Sequence, residues 1–273
     1  MSTALLDQTT GIPALELSYL MDFLTGMFFS FLRVGSFLIA SPFFGAKSVP
    51  LQIRIITGVI LSIVVFPSVD INAVLQAEHL QIVKIILVEI FLGVSLGVVL
   101  SIMFASVALA GEKIATAGGL GFAAQVDPNS GGQTPVVSNI LTLFLIVTFL
   151  ALDGHLAFIR ALHSTYLIFP IGSELSLGIA SEFGAKLPSQ MFHMACIVML
   201  PIVMLLLLCN FSIGVLTRAA PTLNLFSFGF PITMTVVFVC LSASATPMGY
   251  AMEKVVELSL EVLDKFMLGL TNG

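Results

Sequence analysis

The sequence predicts an all-α integral membrane protein made of bent, Pro/Gly-interrupted helical segments, about six in number. Three observations carry that expectation: the scarcity of charge, the length and period of the apolar blocks, and the prolines and charges lodged within them. Hydrophobic residues make up 58% of the chain and charged residues only 9%, with a mean hydropathy of +1.12. A soluble domain carries roughly a quarter charged residues because it must wet its own surface. Most of this surface must therefore face lipid or other protein.

The apolar blocks run over residues 20–44, 51–66, 82–110, 136–171, 191–216 and 225–248. Most reach the ~20 residues that a helix needs to cross ~30 Å of hydrocarbon. None alternates with period two, which disfavours a lipid-facing barrel. Yet Arg33, Glu89, Asp153, His155 and Arg160 lie inside these blocks. A charge at mid-membrane costs about 2.5–3.5 kcal/mol on insertion scales, so each is expected to find a partner in a neighbouring helix or a wet cavity. Pro42, Pro50, Pro67, Pro201, Pro231 and Pro247 fall in or beside the same blocks. Each removes a backbone donor and tends to kink or end its helix.

The formal net charge of −5 leaves no basic stripe to displace counterions, which argues against nucleic acid as a partner. Cys196, Cys209 and Cys240 lie in apolar runs without a CxxC or a histidine at ligand spacing, and read as inert buried thiols. The first basic residue is Arg33, so no cleavable signal peptide is expected. Across six crossings, Lys47, Arg54, Lys113 and Arg218 would lie on one side and Lys84, Arg160, Lys186, Lys254 and Lys265 on the other. The positive-inside rule gains nothing from that split, which points to placement by partner proteins.

In the third block, Gly93, Gly97, Ser101 and Ala105 recur every four residues. On a 3.6-residue helix they form one slowly drifting stripe that lets another backbone approach closely. Beyond it, AGEKIATAGGLGFAAQVDPNSGGQ begins at Ala110 and closes on the turn cluster Asp127-Pro128-Asn129-Ser130-Gly131. Its glycines and small side chains suit a segment that fills a narrow space and still changes conformation; a plain exposed loop is the bland alternative.

Several catalytic look-alikes fail on context. Gly93-Val94-Ser95-Leu96-Gly97 spells GxSxG, but it lies mid-helix rather than on a strand-to-helix turn. Gly119-Leu120-Gly121 followed by Ala124 lacks the flanking βαβ unit of a dinucleotide site. Asp153-Gly154-His155 joins a carboxylate to an imidazole, yet no HExxH or second acidic cluster supports a metal or a proton relay. A structural turn is the preferred reading there. Asn210-Phe211-Ser212 is formally a glycosylation sequon, in surroundings too apolar for occupancy. The chain is not expected to be an enzyme, and no cofactor or metal is expected.

A chain-long series of motifs carries a resemblance. Arg33 precedes Ser41-Pro42-Phe43-Phe44-Gly45, then Val49-Pro50 leads to Arg54. Glu89 precedes Gly93 and Gly97, and Ala110-Gly111-Glu112 runs to Gly121-Phe122-Ala123 and Asp127-Pro128. Asp153-Gly154-His155, Phe169-Pro170-Ile171-Gly172 and Thr217-Arg218-Ala219-Ala220-Pro221-Thr222-Leu223-Asn224 follow, with Phe226 and Gly229-Phe230-Pro231 after them. In this order they resemble the R-type inner-membrane subunit of flagellar and type III secretion export gates, the FliR family, and the flagellar branch more than the injectisome branch. The chain departs from the pattern at Asp153, where the family commonly has Asn, and at Lys113, which adds charge to a less polar segment.

The resemblance implies one wedge of a helical multi-subunit export gate, with a P-like portion over 1–185 and a Q-like hairpin and tail over 186–273. P-type and Q-type gate subunits, an associated export-switch membrane protein (FlhB-like) and unfolded protein substrates would be the partners. The place would be the bacterial inner membrane, within the flagellar basal body. It also implies a plug over 111–125, comprising Gly111, Glu112, Lys113, Ile114, Gly118, Gly119, Leu120, Gly121 and Phe122. Gly93, Gly97, Ser101 and Ala105 would serve helix packing. Arg33, Arg54, Glu89, Asp153, His155 and Arg218 would be buried or inter-subunit polar groups, Arg218 pairing with a carboxylate. Pro221, Asn224, Gly229 and Pro231 would shape the hairpin turn, where Phe226, Phe228 and Phe230 alternate as in an extended segment. The rival reading is a stand-alone secondary transporter or channel, which shares broken helices and midplane charges but would be favoured by an internal repeat, and none is convincing here.

Overall fold

A computed structural model describes residues 17–45, 49–119, 136–173, 177–219 and 229–271. No strand occurs among them. The helices are α1 (Leu17–Ala40), α2 (Leu51–Val65), a 3-10 turn (Phe66–Ser68), α3 (Asn72–Leu75) and α4 (His79–Ala117), followed by α5 (Val136–Ala151), α6 (Gly154–Ile168), α7 (Leu177–Ala219), α8 (Phe230–Ala243) and α9 (Ala245–Thr271). Four are long and apolar enough to cross a membrane, or up to six crossings result if each bent pair, α5 with α6 and α8 with α9, is one span. The expected all-helical, roughly six-segment architecture is borne out.

Local chemistry sets the helix ends. Ser41-Pro42 closes α1, because a residue before proline is pushed out of the helical region. Pro50, extended at φ −56° and ψ 146°, opens α2. Asp70 accepts the Asn72 N–H at 2.9 Å to start α3. Gln81 Oε1 accepts the Glu78 N–H at 3.2 Å, the back-reaching half of a capping box at the head of α4. Gly229 caps α8 and Pro231 sits in its first turn, where a missing N–H costs nothing.

Two compact units divide the chain. The first combines Met1–Val98 with Ala161–Ser176 and the last few residues. Its core joins Phe29, Val65, Val74, Ile85, Tyr166 and Ile171. α1 and α2 pack at Gly58, whose missing side chain leaves room for the Phe31 ring and Leu38. α1 and the start of α4 touch backbone to backbone at Gly93 and Gly97: a Cβ at 93 would collide with the Arg33 carbonyl and the Ser36 hydroxyl, and one at 97 with Ala40 and the Phe37 carbonyl. α2 buries only Gly58, Ser62 and Val65, while Ile53, Ile56, Ile60 and Val64 stay more than half exposed.

The second unit comprises Val99–Arg160 and Leu177–Gly269. Phe149 stacks edge-on against Phe104 and tilts against Phe158, each centroid 6.1 Å away. Phe183 meets Phe266 at 4.2 Å, and the Ser259 hydroxyl lies 3.8 Å from the Met194 sulfur, which ties α7 to α9.

Helix breaks do not coincide with the edges of the apolar blocks at three places. The block 136–171 is two helices bent by 65°, broken at Asp153, whose φ of 53° lies in the left-handed region. Residues 185 and 186, where the P-like and Q-like portions are expected to join, lie inside α7, which continues through both Pro188 and Pro201. α4 persists to Ala117, so the first seven residues of the expected plug loop are helical. With 39 and 43 residues, α4 and α7 are roughly 58 and 64 Å long at 1.5 Å per residue, about twice the hydrocarbon thickness.

Candidate gate segment and buried charge centre

In the first unit, Arg33 of α1 and Glu89 of α4 are both fully buried and face each other. Arg33 Nε donates to Glu89 Oε2 at 2.7 Å and Nη2 donates to Oε1 at 2.9 Å, the two-pronged geometry for which a planar guanidinium is suited. Nη1 donates to Thr165 Oγ1 and Nη2 also to the Phe169 carbonyl, each at 3.0 Å. The guanidinium carbon lies 4.1 Å from the centroid of the Tyr166 ring, and Tyr166 Oη donates to the Ser30 carbonyl at 2.8 Å. The pair is thus neutral overall and hydrogen-bonded to α6, the condition under which buried charge is tolerated. Sequence reasoning found Arg33 and Glu89 but missed Thr165, Tyr166 and the Phe169 carbonyl. Polar and aromatic residues in one register on α6 were the only trace of them.

In the second unit, the carboxyl end of α4 is held on three sides. A Cβ at Gly111 would collide with the Ser138 backbone of α5, and the Ser138 hydroxyl donates to the Ala108 carbonyl at 3.0 Å. Gly118 lies against the Val237 side chain of α8. From α7, Asn210 Nδ2 donates to the Ala117 carbonyl at 2.8 Å. The helix closes as Gly118 N–H bonds the Ile114 carbonyl and Gly119 N–H bonds that of Thr116. Gly119 has φ 79°, a left-handed closing position that glycine occupies without strain. Ile114 is fully buried, whereas Glu112 and Lys113 are exposed. Leu120, Gly121 and Phe122 lie outside the described residues.

The remaining expected site residues are scattered. Ser101 is half-buried and Ala105 exposed, so the close backbone contact of the stripe is at Gly93 and Gly97. Arg54 is half-buried, and its Nη2 donates to the Val49 carbonyl at 3.0 Å. Asp153 is exposed; its place in the chain is set by its backbone conformation and not by burial. Nδ1 of the half-buried His155 is sequestered without a hydrogen-bond partner among the described residues. Arg218 is exposed in the last turn of α7, where a cation suits the negative end of the helix. Gly229 and Pro231 belong to the start of α8 rather than to the turn, and Phe230 is helical rather than extended. Pro221, Asn224, Phe226 and Phe228 lie outside the described residues. The described residues hold no cluster of three metal-ligating side chains.

Long apolar helices and an internally neutralised charge pair mark a helical protein of the integral-membrane class. Residues 24–259 match the model of the bacterial export proteins, family 1, and the chain belongs to that family. It is 33% identical over 221 residues to the flagellar biosynthetic protein FliR of Escherichia coli (strain K12), covering 81% of this chain and 84% of that one. With FliR of Pectobacterium carotovorum subsp. carotovorum it shares 31% over 217 residues, 80% of this chain and 83% of the relative. With FliR of Bacillus subtilis (strain 168) it shares 24% over 248 residues, 89% and 95% of the two chains. The resemblance to the FliR family read from the motifs is borne out.

Proposed function

We propose that this chain is one subunit of the flagellar type III protein-export gate in the bacterial inner membrane, and that its 111–125 segment closes the conduit through which unfolded flagellar proteins pass. The family match and the flagellar name shared by its relatives support the apparatus. One observation supports the closing role: α4 ends at Ala117 in a clamp of α5, α7 and α8 contacts and releases the chain at Gly118 and Gly119. A plug needs this division, with a fixed base and a small-residue tip. The base keeps the tip from drifting, while glycine and alanine fill a lumen and yield to a passing polypeptide at low cost.

In this reading the apolar flanks of α2 and α7 are covered by P-type and Q-type gate subunits, with an FlhB-like export-switch protein beside them. The chain itself performs no bond-making chemistry. The test is deletion of Gly118 and Gly119 in the chromosomal copy, followed by ion conductance of membranes carrying the assembled gate. A leak in the resting state is the expected result; an unchanged seal with normal assembly overturns the plug.

A further inference from the structure

We infer that Asn210 is the clamp that holds the base of the closing segment, through the single hydrogen bond from its amide to the last carbonyl of α4; the inference rests on the reading of 111–125 as a plug. An amide has no obvious place in α7. It sits between Leu208 and Phe211, which are 63% and 73% exposed, in the apolar block 191–216. A polar side chain in such a stretch is costly unless it meets a partner. Its partner is specific. Asn210 Nδ2 lies 2.8 Å from the Ala117 carbonyl, and since a carbonyl accepts only, the amide must present its NH2 group to α4.

The end of a helix leaves its last carbonyls without intrahelical donors. Here the Ile114 and Thr116 carbonyls take the N–H groups of Gly118 and Gly119, and the Ala117 carbonyl takes Asn210. Among the described residues, the Ala117 carbonyl at the hand-over to the closing segment thus takes its bond from a side chain of another helix, Asn210. The Ser138 hydroxyl bonds α4 further back, at the Ala108 carbonyl, while the approaches of Gly111 to Ser138 and of Gly118 to Val237 are steric contacts that position the helix end. Asn210 is a positioning residue: it acts on the closing segment through Ala117 and needs no contact with exported protein.

Asn210→Leu removes the donor while keeping the size and suiting the apolar surroundings, so the fold should survive. Asn210→Gln keeps an amide that can reach the same carbonyl. Spin labels at Lys113→Cys and Gly214→Cys, both on exposed positions, report the separation of α4 and α7 in a Cys196→Ala, Cys209→Ala, Cys240→Ala background. The measurement uses the full chain in native membranes, with the ion conductance of the same membranes as second readout.

A lost hydrogen bond shifts a two-state equilibrium roughly 2- to 10-fold toward the released end. In Asn210→Leu the distance distribution should broaden by that population and the resting leak should rise in proportion, with both restored in Asn210→Gln. An unchanged distribution in Asn210→Leu overturns the clamp, whatever the leak does. A broadened distribution with an intact seal supports the clamp and overturns the plug on which its purpose rests. Broadening that Asn210→Gln fails to reverse assigns the effect to packing and overturns the clamp.

Discussion

Arg33 and Glu89, 56 residues apart in sequence, share two hydrogen bonds of 2.7 and 2.9 Å at a point that solvent does not reach. The pair joins α1 to α4, and the further bonds from Arg33 to Thr165 and Phe169 add α6. Three helices that are distant in the chain are thereby held in one register. An apolar contact can slide along a helix by a turn; a two-pronged ion pair cannot.

Removing either charge leaves the other buried without a partner. Arg33→Met or Glu89→Leu alone should destabilise the chain by about 3–5 kcal/mol. The double variant Arg33→Met/Glu89→Leu should recover most of that loss, because no lone charge remains. Thermal unfolding of detergent-extracted protein measures this. A double variant no better than the sum of the singles would show that Thr165 and Phe169, rather than Glu89, are what Arg33 chiefly serves.

The backbone contact at Gly93 and Gly97 predicts a position-dependent response to one methyl group. Gly93→Ala and Gly97→Ala place a Cβ against backbone carbonyls and should separate α1 from α4, with strong loss of stability. Gly184→Ala and Gly214→Ala meet nothing within 4 Å and should be neutral or stabilising by up to ~1 kcal/mol, since alanine is the better helix former. Expression level and melting temperature of the four variants should separate into two groups.

Asp153 carries a prediction about backbone alone. At φ 53° a side chain without a local polar group is disfavoured by about 1–2 kcal/mol, while asparagine and aspartate visit the region readily. Asp153→Asn should leave stability and export unchanged, Asp153→Gly should be neutral to stabilising, and Asp153→Val should be destabilising. Equal melting temperatures for the Asn and Val variants would remove the conformational account. Both Asp and Asn suit the left-handed position, and the exposed side chain has no buried bond to keep.

Much of the fold was legible in composition and order. Apolar blocks without period two gave the helices, and a four-residue stripe of small side chains gave the α1–α4 contact at two of its four positions. A four-residue spacing drifts about 40° per step on a 3.6-residue helix, and by Ala105 the stripe has turned to an exposed face. The sequence pointed to Arg33 and Glu89 as buried charges, since each lies where lipid would be intolerable. It could not name them as partners, because pairing depends on how helices far apart in the chain meet. Asn210 was visible only as a formal sequon; its polarity within an apolar run was the stronger signal. Proline misled at Pro201, where α7 continues as it does through Pro188, because a long helix with other bonds on either side tolerates one missing donor at each.

α2 meets the rest of the chain along the seam of Gly58, Ser62 and Val65, and leaves isoleucines and valines bare on its other faces. Such a helix has no safe waiting state in water: an uncovered apolar surface of this kind associates with whatever it meets. Newly made copies must pass straight from the ribosome into lipid, with no interval in which this helix meets water.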